Sequence, residues 1–206
     1  MCVGFAPESL QVTVGRRFSQ AISEGDGISI IVEVDGPEGA LRAESEGAEA
    51  VLVFAGLEGG RLEQIRAATS LPIVFYYDAE RTDRVAGADA CILDAGQGSW
   101  LEQAQRNLSD DFELAFRIED EEHLEEALEK FDPELFVLAS EGDTETEGLA
   151  RVLDLLPDVP AGKLAIAELP VATREEVDEL ERAGVDAVIV RVRNIAELVG
   201  GAPPEV

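Results

Sequence analysis

The stretch KLAIAELPVATREEVDELERAGVDAVIV, Lys163 to Val190, decides the fold. It opens on a short apolar run, Leu164 to Ala167, that stops at the carboxylate of Glu168. Thr173 precedes Glu176 by three residues, the spacing of a capping box that starts a helix. Val177, Leu180 and Ala183 recur at helical spacing, which gives that helix one apolar face. Gly184 is placed to end it. A second apolar run, Ala187 to Val190, leads into Arg191. The order is strand, helix, strand, and both strands are apolar throughout. Strands of that kind are buried on both faces, as in a parallel sheet covered by helices. Glu168 and Arg191 then stand at the C-terminal ends of neighbouring strands, where α/β folds build their sites.

The same unit recurs along the chain. Strands are predicted at Ile28 to Val34, Ala50 to Phe54, Pro72 to Tyr76, Ala90 to Asp94, Glu113 to Ile118 and Leu135 to Ala139. Helices are predicted at Pro37 to Glu46, Arg61 to Ala68, Ser99 to Asn107, Glu121 to Lys130 and Thr146 to Leu156, with a helical turn near Glu80 to Val85. Asn194 to Val199 reads as a stub of last helix. The phrases EGAEAVLVFA, AGADACILDA and AGVDAVIVRV are near repeats: a helix end, a glycine, then a buried strand. Eight such units close naturally into a (β/α)8 TIM barrel, a single compact α/β domain with short loops over residues 28–206. Residues 1–27 form a reduced N-terminal extension, with a weak strand-like run at Leu10 to Val14 and a short helix around Arg17 to Ser23. An open doubly wound sheet is the rival, but Asp35-Gly36-Pro37-Glu38-Gly39 lacks the glycine spacing of a dinucleotide loop.

Composition narrows the partners. The 206 residues carry 44 acidic and 16 basic side chains, a net charge of −28. Only Lys130 and Lys163 among the basic residues are lysines. So acidic a surface repels phosphate backbones and anionic membranes, which argues against nucleic acid and membrane partners. A salt-adapted solvated surface and a surface for a basic protein partner both explain it, and the even spread of charge favours the first. No apolar run approaches the ~20 residues of a membrane span. The N-terminus lacks the pattern of a signal peptide, so a cytoplasmic protein is expected. Cys91, within the run ACIL, reads as a small core residue. His123 is the single histidine and lies in the polar helix EDEEHLEEALEK, where surface placement is expected. No cofactor is implied, and no Cys/His cluster has metal spacing.

The strand ends nominate the site. Glu33, Asp94, Arg117, Glu168 and Arg191 are the expected inward groups at the mouth. Asp35 and Arg193 lie two residues beyond Glu33 and Arg191, on the same face if the strand continues. Tyr76 ends the third strand. Three readings of this rim stay open. The charges neutralise one another as an ion-pair network that plugs the barrel. Or a carboxylate pair, Glu33 and Glu168, does general acid/base work. Or Arg191 and Arg193 clamp a small anionic ligand.

The order of several blocks resembles the indole-3-glycerol phosphate synthase family, (β/α)8 lyases of tryptophan biosynthesis. These are FSQAI with ISIIVEV, GGRLEQIRAATSLPIV, AGADACILDA, IEDEEHLEEAL and AIAELPVATREEVDELERAGVDAVIV, together roughly Phe18 to Val199. The resemblance implies a ring-closing decarboxylase that uses two lysines, glutamates and a phosphate site at the last two strands. Matched position by position, Glu33 and Glu168 keep the family's glutamates. Asp35 and Tyr76 stand where it has lysines, Arg117 where it has a glutamate, and Ala139 where it has an asparagine. Leu169-Pro170 replaces its phosphate-binding Ser-Gly, and Arg191 its eighth-strand glycine. Its long loop after the first strand shrinks to Asp35-Gly36-Pro37. The resemblance with these replacements implies a divergent member, a pseudoenzyme that has lost synthase activity and serves as a binding or assembly module, with a possible protein partner. The alternative is a lyase or isomerase on a small anionic, phosphorylated substrate, with Glu33 and Glu168 as acid and base. Asp35, Tyr76, Asp94, Arg117, Arg191 and Arg193 are then the expected substrate contacts.

Overall fold

A computed structural model describes residues 17–25, 27–54, 60–77, 87–96, 101–108, 111–140, 145–171, 173–191 and 195–199. The expected Leu10 to Val14 run and the turn near Glu80 to Val85 lie outside these residues. The elements are α1 (Arg17–Ser23), β1 (Ser29–Glu33), α2 (Pro37–Ser45), β2 (Ala50–Phe54), α3 (Arg61–Ala68), β3 (Ile73–Tyr76), β4 (Ala90–Asp94), α4 (Leu101–Leu108), β5 (Glu113–Ile118), α5 (Glu121–Lys130), β6 (Leu135–Ala139), α6 (Glu145–Leu155), β7 (Leu164–Glu168), α7 (Arg174–Ala183) and β8 (Ala187–Val190). The eight strands pair in chain order, all parallel, and β8 returns to β1 to close the barrel. The expected stub of last helix is a single 3-10 turn, Ile195–Glu197.

Strand alternation sorts side chains into two apolar layers. Ile31, Leu52, Val74, Ile92, Val137 and Ile189 fill the inside of the barrel. Their neighbours, such as Ile30, Val53, Phe75 and Phe136, pack outward against the helices. α7 starts with the capping box foreseen at Thr173 and Glu176 and ends at Gly184 with φ 99°.

The near repeats have a physical cause in the turns between helix and strand. Gly47, Gly87 and Gly184 all have positive φ, at 94°, 102° and 99°, where a side chain would be strained. Two residues after each glycine comes an acid: Glu49, Asp89 and Asp186. Each accepts the backbone N–H at the start of the preceding strand: Glu49 from Ile30, Asp89 from Ile73 and Asp186 from Ala165, all at 2.8 Å. Backbone donors at the barrel's N-terminal rim are thereby satisfied, as burial requires. Burial holds the Glu49 and Asp186 carboxyls above their ordinary values, although these hydrogen bonds pull the other way.

The N-terminal rim is closed by α1. Phe18 is fully buried and Ile22 nearly so, and both join the apolar cluster inside the barrel. Glu113, at the start of β5, accepts the N–H groups of Phe18 at 2.8 Å and Ser19 at 3.1 Å, which caps the helix from across the barrel. Arg17 reaches Asp89 at 3.0 Å. The N-terminal segment from Arg17 onward is therefore an integral plug of the barrel.

Candidate functional site at the barrel mouth

The inward positions at the C-terminal rim form one ring: Glu33 from β1, Phe54 from β2, Tyr76 from β3, Asp94 from β4, Arg117 from β5, Ala139 from β6, Glu168 from β7 and Arg191 after β8. Register pairs Phe54 with Tyr76, Asp94 with Arg117 and Ala139 with Glu168, so these residues share a level. The five charges foreseen at the mouth are all brought together.

Arg117 is the hub. Its Nε donates to Glu168 Oε2 at 2.7 Å, and its Nη1 pairs closely with Glu119 Oε1 and lies 4.0 Å from Asp94 Oδ2. Its side chain is only 14% exposed, and that of Glu168 is 13% exposed. Burial works against the guanidinium charge, but Glu168 outweighs it and Arg117 is held well above its ordinary value. Arg191 extends the array. It meets Glu33 Oε2 through Nε and Glu168 Oε1 through Nη2 at 3.5 Å. The Glu33 contact is one between charges and lacks hydrogen-bond geometry. A continuous chain thus runs Glu33, Arg191, Glu168, Arg117, with Glu119 and Asp94 at its end. Each acid has an arginine, the condition under which charge persists in a partly buried site.

The other side of the ring is aromatic. Phe54 and Tyr76 stack with centroids 5.0 Å apart and planes 14° apart. The Arg191 guanidinium lies 5.7 Å above the Phe54 ring, a cation–π contact. Burial pushes the Tyr76 hydroxyl up; Arg117 opposes that shift and Glu168, Asp94 and Glu119 add to it. Tyr76 stays a neutral phenol.

One expected contact, Asp35, lies off the ion-pair chain, and one residue stands nearer the mouth than expected. Asp35 is exposed, because β1 ends at Glu33 and the alternation that would have turned both inward stops there. Its carbonyl accepts Arg61 Nη1 at 2.9 Å. Arg193 lies outside the described residues. His123, expected on the surface, is half-buried on the first turn of α5 beside the mouth. Among the described residues no group of three or more His, Cys, Asp or Glu side chains is placed to hold a metal ion, and no helix is long and apolar enough to cross a membrane.

A cleft of about 360 Å³ beside Glu33, Asp35, Arg42 and Arg191 opens next to the ion-pair chain. The largest described cavity, about 660 Å³, lies at the opposite rim, against α1 and the N-terminal ends of β5, β6 and β7. The charges of the mouth do not line it.

No protein-family model matches the chain. It is 34% identical over 139 residues to indole-3-glycerol phosphate synthase from Variovorax paradoxus (strain S110), a match covering 63% of this chain and 52% of that protein. The synthases of Polaromonas naphthalenivorans (strain CJ2) and Albidiferax ferrireducens (strain ATCC BAA-621 / DSM 15236 / T118) match over the same shares at 33% and 32%. The matched part spans about half the length of these curated relatives. Among solved structures, a phosphonomutase candidate from Burkholderia cenocepacia J2315 superposes with TM-score 0.54 at 16% identity, covering 80% of this chain and 86% of that one. That likeness is one of fold. By sequence, the chain is similar to the indole-3-glycerol phosphate synthases over that matched part.

Proposed function

We propose that this chain is a synthase-like barrel that no longer closes an indole ring, and that it serves as a binding module whose mouth takes a small anion. The observation that carries the reading is Arg117. A buried guanidinium at the centre of the mouth holds Glu168 by a 2.7 Å hydrogen bond. Arg117 and Arg191 together engage both oxygens of that glutamate, and Arg117 stands where the resemblance places a glutamate. The replacements around it point the same way. Asp35 is exposed and negative where the relatives' resemblance places a lysine, and Tyr76 is a neutral phenol where it places another.

A specific observation favours retained chemistry as the second reading. Arg191 is 63% exposed and borders the 360 Å³ cleft. An anionic substrate, such as a phosphate ester, that engaged Arg191 would compete with Glu33 and Glu168, releasing Glu33 and the Oε1 side of Glu168 for lyase or isomerase work. The experiment is complementation of a tryptophan auxotroph, paired with turnover of the synthase substrate by purified protein. Growth or turnover overturns the first reading. Without either, calorimetric titration with inorganic phosphate, expected to give binding that Arg191→Ala abolishes, tests the anion site.

A further inference from the structure

Asp120 makes two contacts with one residue. Its Oδ1 accepts the backbone N–H of His123 at 2.9 Å, which caps α5. Its Oδ2 lies 3.1 Å from His123 Nδ1. The second contact is no part of helix capping. A carboxylate on Nδ1 holds the proton there and leaves Nε2 as the proton acceptor, the orienting role carboxylates play toward imidazoles. The far edge of the ring packs on the mouth. A methyl group placed on Gly96 would stand 3.4 Å from His123 Cε1, 3.6 Å from Nε2 and 3.3 Å from Asp94 Oδ1. Gly96 N–H is itself held by Asp94 Oδ1 at 3.0 Å. The Cε1–Nε2 edge of the imidazole thus lies beside Gly96, which itself brings no side chain against it.

We propose that Asp120 and His123 form a proton-accepting dyad at the rim of the mouth, serving small molecules that carry an acidic C–H or O–H. In the step, Nε2 takes the substrate proton, the bonding pair stays on the substrate, and the imidazolium is stabilised by Asp120 until it returns the proton to water or product. The dyad lies outside the arginine chain and does not depend on whether ring closure has been lost. Among the described residues, Asp120 and Glu126 on its own helix interact with the imidazole, and Asp94 on β4 borders the same Gly96 position.

The histidine is the only one in the chain, so its titration and tautomer can be read directly by nitrogen-15 NMR. The probe is nitrobenzisoxazole: its carbon-bound proton goes to the base, that C–H pair forms a nitrile, and the N–O bond breaks to release a phenolate. Full-length protein should give turnover that rises with deprotonation of His123 and falls about 100-fold, the weight of a positioned general base, in His123→Gln. Gly96→Ala should lower the rate by covering Nε2. Asp120→Ser keeps a capping hydroxyl and should leave the melting temperature unchanged, but it should lose both the Nδ1–H tautomer and part of the rate; Asp120→Asn, another good cap, serves if the serine variant melts early. Turnover no faster than that of dissolved imidazole, an unchanged rate in His123→Gln, or an unchanged tautomer in the Asp120 variants would each overturn the dyad. Phosphate binding at Arg191 should be the same in His123→Gln and wild type, so a failure of one reading does not carry the other.

Discussion

The two ends of this barrel are closed by opposite means. At the N-terminal rim an apolar helix inserts Phe18 and Ile22 among the strands, and acids satisfy backbone donors, Asp89 pairing with Arg17 and Arg66 as well. At the C-terminal rim no hydrophobic plug is present among the described residues, and a chain of arginines and carboxylates spans the opening. Apolar closure gains from every buried atom and tolerates imprecision. Charged closure gains little over an apolar filling and depends on every partner being in place. The first is built for stability.

Substitutions sharpen that contrast. Phe18→Ala should have the largest effect, about 3–5 kcal/mol in urea unfolding, because it empties the plug of a fully buried ring. Arg117→Met should follow at about 3 kcal/mol, since it strands Glu168, Glu119 and Asp94 around one missing charge; its deficit should narrow on acidification, as those carboxyls protonate. Equal losses at neutral and acid pH would mean that the mouth is held by packing, and the contrast between the ends would fail. Glu113→Ala should cost about 1 kcal/mol, the worth of a helix cap. Glu49→Gln works in the other direction. Its carboxyl is raised above 4.5 by burial, so its favourable contribution is present in acid and lost as pH rises through the folded value. The amide should therefore stabilise the protein slightly at neutral pH and give no gain below 4.5. Arg191→Ala should be smallest, under about 1 kcal/mol, because an exposed ion pair is largely repaid by water.

The barrel and its ring of charges were legible because both follow from alternation. Continuous apolar runs ending in Glu33, Asp94, Glu168 and Arg191 fix which residues turn inward, and Arg117 sits on the same face of β5. Asp35 lies off the ion-pair chain, at the edge of the cleft, because alternation ends with the strand at Glu33, and no residue in Glu33-Val34-Asp35 announces that end. His123 was placed on the surface because a polar helix face reads as solvent. On a barrel helix, however, the first turn stands beside the strand ends, and no periodicity reports which side faces them. The acids after Gly47, Gly87 and Gly184 recur in sequence, yet their partners, the N–H groups of Ile30, Ile73 and Ala165, belong to preceding strands that carry no matching signal.

Those three stitches have a kinetic meaning. They bridge 19, 16 and 21 residues, so each can form within one strand–helix–strand segment before the rest of the chain is ordered. The seam from Ser29–Ala187 to Val32–Val190 joins positions near opposite ends of the sequence and carries the greatest loop-closure entropy. Assembly of locally secured segments first and seam closure last makes the β1–β8 junction the slow step of folding, and the place where a thermally stressed barrel first comes apart.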